Sequence, residues 1–365
     1  MMKKTLGVII LSMLWLMSCR HQESNNDSLL GGIDFANRKD LSDMKLSDLM
    51  TDYSIVELET NDSCLIGDNR GKYVKKEGII YVKSFNEIME FDESGKFLRK
   101  LSRQGNGPEE YGGILDFEIV PGKDGKEIWI GSESGISRYD ARTLAFIGRK
   151  DYEGFPSQIR YVNDTTFLVV SAGDKWFNAW SPEGKVRQRY FDEDQANSLR
   201  KISQFNNTGD RVFYQIEDTN EAVVYDPATD AFTMSKIFDA IPEVQTISGN
   251  REAMAKYGYL DFHKETDGLY DTMIYVRTSG GMSLAQLFRK DGSRTLILSR
   301  DGKTRVMDYD MANGGKANDI VPDINIRFLT TPVATDSDSG FLFILEPLDG
   351  DGDSNPRLLD VAKIL

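Results

Sequence analysis

Apolar residues in this chain fall in short runs separated by polar turns, and the runs recur. Residues 79–101 read IIYVKSFNEIMEFDESGKFLRKL and residues 127–149 read EIWIGSESGISRYDARTLAFIGR. Ile80-Tyr81-Val82 answers to Ile128-Trp129-Ile130, and Phe91-Asp92 to Tyr139-Asp140, each pair 48 residues apart. Weaker copies begin at Phe167 (FLVVSAGDKWFNAWSPEGKVRQRYF) and at Arg211 (RVFYQIEDTNEAVVYDPATDAFTMSKIF). In every copy an apolar strand meets a polar turn, and a second strand ends in an aromatic residue followed by Asp or Ser. A tight turn and a third strand come next. The segments are rich in Val, Ile, Tyr, Phe and Trp, which fit a pleated, buried surface. Asp92-Glu93-Ser94-Gly95, Ser181-Pro182-Glu183-Gly184 and Asp226-Pro227-Ala228-Thr229 carry β-turn residues at their expected places. Helical periodicity is confined to Leu41–Met50 and to an inserted helix expected over Asn250–Gly258.

A repeated four-stranded unit of this length predicts an all-β fold, a β-propeller, because one blade cannot bury both of its faces and neighbours in a ring can. About 310 residues from Tyr53 onward, at about 50 per unit, give six blades. The expected blades are 71–102, 113–150, 157–192, 199–238, 257–300 and 302–365. An open ring would leave a sheet edge exposed. Tyr53–Glu59 (YSIVELE) is therefore expected to join the last blade beside Arg357–Leu365 (RLLDVAKIL), closing a single six-bladed domain over 41–365.

The stretch Gln104–Tyr111, QGNGPEEY, has the glycine spacing of a phosphate loop. Its other residues oppose that reading. A Walker loop needs a following Lys and Ser or Thr and a helix N-terminus, whereas here Pro108, Glu109 and Glu110 follow. It reads as the crossover between the first two blades.

The N-terminus changes the picture from fold to location. Lys3 and Lys4 precede a short apolar run, Leu6–Met17, in the manner of a secretory leader covering 1–18. The run ends Leu16-Met17-Ser18-Cys19, which resembles a bacterial lipobox and implies a diacylated Cys19, enough for stable anchoring. Polar residues 19–40 read as a flexible tether. The expected address is the cell envelope, at the outer membrane. The formal net charge of −14 disfavours a nucleic-acid partner, whose phosphates attract basic faces. The second of two cysteines, Cys64, reads as a packed residue.

The segments KLSDLMTDYSIVELET, IMEFDESGKFLRKLSRQGNGPEEYGGILDF and NPRLLDVAKIL resemble the six-bladed β-propeller lipoproteins of Gram-negative gut-type bacteria, related in architecture to NHL-repeat and TolB-like propellers. The resemblance implies a fold and an envelope location and carries no activity.

Catalytic constellations are sparse. His21 and His263 are the two histidines, too few for triads or zinc sites. Asp349, Asp351 and Asp353 alternate at the start of a calcium-like loop, with Asp360 twelfth. Ser354 and Pro356 depart from the calcium pattern, and a solvated acidic hairpin tip is the competing reading. Trp176 and Trp180 in KWFNAW are candidate ligand-stacking residues, with packing between blades as the alternative. The function expected is a non-enzymatic binding or scaffold module for a protein or glycan partner. The alternative is a calcium-dependent hydrolase or lactonase holding its cation in the central channel, for which Asn163, Asn178, Asn206 and Asn220 near strand ends are possible ligands.

Overall fold

The computed structural model describes residues 28–33, 37–40, 44–67, 71–152, 155–172, 177–181, 183–190, 205–216, 219–239, 241, 272–289, 293–309, 319–320, 324–325, 333–334, 340–347 and 354–364. Within them lie six small antiparallel sheets arranged as a six-bladed β-propeller. Blade 1 runs Tyr73–Lys76, Ile79–Ser84, Glu87–Asp92 and Phe97–Leu101, and blade 2 Asp116–Gly122, Gly125–Ser132, Gly135–Asp140 and Phe146–Lys150. Blade 3 spans Phe155–Asn163 to Val186–Tyr190, blade 4 Phe205–Thr208 to Ala231–Lys236, and blade 5 Thr272–Ser279 to Lys303–Tyr309. In blade 6, Phe341–Pro347 pairs on one side with the short strands Ile324–Asn325 and Val333–Ala334 and on the other with Arg357–Ile364.

The apolar runs are explained by what each strand faces. Six hydrophobic clusters occupy the six gaps between neighbouring blades. Ile80 and Val82 enter the gap toward blade 6, while Tyr81 between them enters the gap toward blade 2. Ile128 and Ile130 face blade 1, and Trp129 faces blade 3. Leu284 and Leu298 pack against blade 6, Ala285 and Ile297 against blade 4. Because strand side chains alternate between faces and both faces are covered, the sequence reads as continuous apolar segments without a polar stripe.

The ring closes as expected. Met50–Glu57 lies antiparallel to Arg357–Ile364, in register from Met50 opposite Ile364 to Glu57 opposite Arg357, and forms the outermost strand of blade 6. The boundary expected between blades 5 and 6 is corrected. Lys303–Tyr309 pairs with Arg294–Arg300 and belongs to blade 5. Asp301 and Gly302, both with positive φ (49° and 74°), form a hairpin turn inside that blade. Blade 6 takes its outer strand from the other end of the chain.

The expected tether is corrected from residue 28 onward. Leu29 N and Leu30 N donate to Lys236 O and Ile237 O at 3.0 and 2.8 Å, and Leu29 is buried in the gap between blades 4 and 5. Lys39–Asp40 then pairs in parallel with Met307 and Asp308 of blade 5. Apolar Leu29 and Leu30 are what a solvated linker would lack, and they seat this strap on the outer edges of blades 4 and 5. Of the helical pattern over 41–50, the described residues 44–50 hold one 3-10 turn, Leu46–Asp48, before the closing strand begins. The helix expected over 250–258 lies outside the described residues.

Candidate functional site

In an antiparallel blade the turn between the second and third strands shares one end of the ring with the blade-to-blade crossovers. At blade 1 this end holds three segments: the crossover from the closing strand, described over 58–67 and 71–72, the turn Ser84–Glu87, and the crossover 102–115. Together they border an open cleft of about 280 Å³ whose lining includes Leu65, Gly67, Phe85, Asn86, Glu87 and Gln104. Phe85 is 63 % exposed and has a φ of 49°, a conformation that bulky side chains rarely adopt. The turn is pinned from both sides. Gly67 N donates to Ser84 Oγ at 3.0 Å, Ile114 N donates to Asn86 Oδ1 at 3.0 Å, and Tyr111 OH donates to Asn86 O at 2.9 Å.

QGNGPEEY is the crossover expected of it, and it does hold an anion, its own. The Glu110 carboxylate folds back so that Gly107 N donates to Oε2 at 2.7 Å. Tyr111 is fully buried; its hydroxyl accepts from Arg103 N at 3.1 Å, and burial pushes its pKa up to about 12. Tyr139 OH donates to Glu109 O at 2.7 Å. These contacts make the motif a clasp between blades 1 and 2.

On the other flank of the cleft, Asn355 is buried just ahead of the last strand. Its Oδ1 accepts from Ile66 N at 2.6 Å, and its Nδ2 donates to Glu59 O and Cys64 O, both at 2.7 Å. In the sequence Asn355 stands at the end of the acidic stretch Asp349–Asn355 and opens NPRLLDVAKIL, and neither context predicts this latch. The available signal was its place before Pro356, which holds it extended, at the mouth of the last strand.

Toward the ring axis the inner strand of each blade is a sheet edge whose backbone groups need partners. Neighbouring side chains supply them. Ile159 N donates to Asp116 Oδ2 at 2.9 Å and Tyr161 N to Glu118 Oε1 at 3.4 Å. Thr278 N donates to Asn206 Oδ1 at 3.1 Å, and Asn207 N to Thr278 Oγ1 at 3.0 Å. Lys72 Nζ lies 3.1 Å from Asp116 and 3.6 Å from Glu118, and Arg160 lies 3.5 Å from Glu118. Asp116 and Glu118 are thus matched by basic side chains and backbone donors and do not fit a divalent cation. Among the described residues no group of three or more His, Cys, Asp or Glu side chains could hold a metal. Three of the four asparagines considered as ligands make local bonds: Asn163 accepts from Thr165, Asn178 donates to Ser171, and Asn220 brackets Phe238. Asn206 is the one of them seen capping the next blade.

Cys19, His263, Trp176, Asp349, Asp351 and Asp353 lie outside the described residues. Asp360 is on the third strand of blade 6 and forms an ion pair with Lys75 of blade 1. Trp180 is buried between blades 2 and 3, its ring 4.6 Å from Tyr152 and 6.3 Å from Phe167, so the packing alternative describes its position.

The sequence model for a domain of unknown function, DUF4934, matches residues 30–214, just over half of the chain and all of the first three blades. The chain belongs to the DUF4934 family. No curated protein matches it. Among solved structures, a Bacteroides fragilis protein assigned as exported is similar over 92 % of this chain and 99 % of its own, at 14 % identity and a TM-score of 0.69. A member of the DUF4221 family from Bacteroides vulgatus is similar over 87 % of this chain and 98 % of its own, at 9 % identity and a TM-score of 0.52. These likenesses bear on the fold of the DUF4934 chain. Its narrower resemblance to NHL-repeat and TolB-like propellers rests on the sequence motifs alone.

Proposed function

We propose that this DUF4934 protein is a non-enzymatic binding module of the cell envelope, and that the blade 1 cleft is its contact site for a protein or glycan partner. The observation that carries the reading is Phe85: a large aromatic side chain left in solvent, on a strained turn that both flanking crossovers hold in place. Backbone strain kept by surrounding hydrogen bonds is a mark of functional positions. The absence of a catalytic set in the sequence supports a binding role over hydrolysis.

The leader, the lipobox around Cys19 and the likeness to an exported protein support placement in the envelope with a lipid anchor, by expectation in the outer membrane. The strap reaches the ring on blade 4, half-way around from blade 1. Residues 19–27 span at most about 30 Å, so an acylated Cys19 would hold blade 4 within about that distance of the bilayer. The test is in cells. Photo-crosslinking from position 85 yields discrete adducts that are absent from position 234 on blade 4, and Cys19→Ala abolishes palmitate incorporation. No adduct from position 85 removes the cleft as contact site, and unchanged labelling removes the anchor.

A further inference from the structure

We infer that the blade 1 cleft is a saccharide subsite for a neutral sugar ring, with Phe85 as its stacking platform; this rests on the binding-module reading above. The pose of the ring favours such a ligand. A Cβ built on Gly67 would fall 2.2 Å from Phe85 Cε2 and 3.0 Å from Cδ2. Glycine at 67 is therefore what allows the Cε2 edge of the aromatic ring to come up against the chain. Backbone abuts one edge of the ring and limits its movement, and the side chain remains 63 % exposed. Such a ring is a fixed flat surface, suited to the apolar face of a sugar, more than a projecting knob suited to a partner's pocket.

The rim favours it too. Ser84, Asn86, Glu87, Ser102 and Gln104 border the cleft, and amides, hydroxyls and carboxylates are the groups that pair with vicinal hydroxyls. Asn86 Oδ1 is occupied by Ile114 N, which leaves its amide nitrogen as a donor. Charge points the same way. The lining contains no basic residue, and its carboxylate, Glu87, is paired with Lys100 Nζ at 3.0 Å. The site is close to neutral on a chain of net charge −14, so uronates, phosphates and sulfated sugars are disfavoured. The volume of about 280 Å³ sits at the small end of ligand sites, room for one or two rings of a longer glycan running across the face.

The test uses the full chain in a zwitterionic detergent, titrated by calorimetry and by saturation-transfer NMR with maltohexaose, cellohexaose, xylohexaose and mannohexaose. The expected result is binding of at least one hexaose, about tenfold weaker in Phe85→Ala and within about threefold of wild type in Phe85→Trp, whose ring restores the platform. Gly67→Ala, which pushes the ring aside from its edge, also weakens binding, and oligogalacturonate does not bind. An unchanged melting temperature shows that the variants are folded. Failure of all four hexaoses to bind, or equal binding by Phe85→Ala, overturns the inference. If the hexaoses fail while crosslinking from position 85 captures one discrete protein, the sugar is excluded and the binding module stands. If both fail, the module reading falls with it.

Discussion

Asn355 offers the sharpest test of how the ring is latched. One buried amide satisfies three backbone groups of the crossover 59–66: Ile66 N–H, Glu59 O and Cys64 O. Replacing it with alanine removes all three bonds at once. A hydrogen bond contributes about 1 kcal/mol net, and a buried group left unpaired costs about 1–3 kcal/mol. Water can reach part of a surface crossover, so the expected loss for Asn355→Ala is about 3–4 kcal/mol, a large share of a stability of about 5–15 kcal/mol. For a chain of this size that lowers the melting temperature by about 4–5 °C. Asn355→Asp is expected to be worse at pH 7, because it keeps an acceptor for Ile66 but turns a carboxylate toward two carbonyl oxygens. Calorimetry gives both numbers, and hydrogen exchange at Ile66 localises the effect. A melting temperature for Asn355→Ala within about 2 °C of wild type, with Ile66 still protected, would refute the latch.

Three further outcomes follow from the same geometry. Gly95 has a φ of 88°, and a Cβ there would lie 2.0 Å from Glu57 O; Gly95→Ala is expected to cost about 3 kcal/mol in chemical denaturation. Burial pushes the Glu127 carboxyl up, but two bonds from Arg138 and one from Trp129 outweigh it and hold its pKa below the ordinary 4.5. Its ionic contribution is therefore complete above pH 4.5 and is lost as pH falls through the lower folded value. Glu127→Gln should accordingly cost about 2 kcal/mol at pH 7, and urea titrations should show the gap closing in acid. Cys64 is fully buried, its thiol bonded to Glu59 O and its pKa raised by burial, so it should resist DTNB in the native protein and react only on unfolding. Rapid native reaction would contradict that packing.

The parts of the fold that sequence revealed were those where one physical cause acts alone. Ile80, Tyr81 and Val82 are all apolar because both faces of the blade are covered, so the run of three announced a buried sheet. The closing strand YSIVELE was legible as an orphan strand without a blade of its own. Lys303–Tyr309 was misplaced because Asp301-Gly302 marks a hairpin as well as a blade boundary, and local turn chemistry does not separate the two. The strap was missed because Leu29 and Leu30 are two apolar residues in a polar context, and their value depends on a groove formed some 200 residues later by blades 4 and 5. The site was less legible still. Phe85 looks like any aromatic residue at a strand end until the glycine against its edge and the φ of its own backbone are known. Asn355 carries its role through residues almost 300 positions away.

The central claim is that Met50–Glu57 completes blade 6 against the C-terminal strand. Thr51 and Lys363 stand directly opposite each other there, both exposed, at a separation that cross-strand partners of an antiparallel pair share with disulfides. In Thr51→Cys/Lys363→Cys, mild oxidation of the native protein should join the two strands quantitatively, read as one linked peptide by mass spectrometry, and should raise the melting temperature. Two free thiols in the folded protein, or a bond that forms only after denaturation, would contradict the closure.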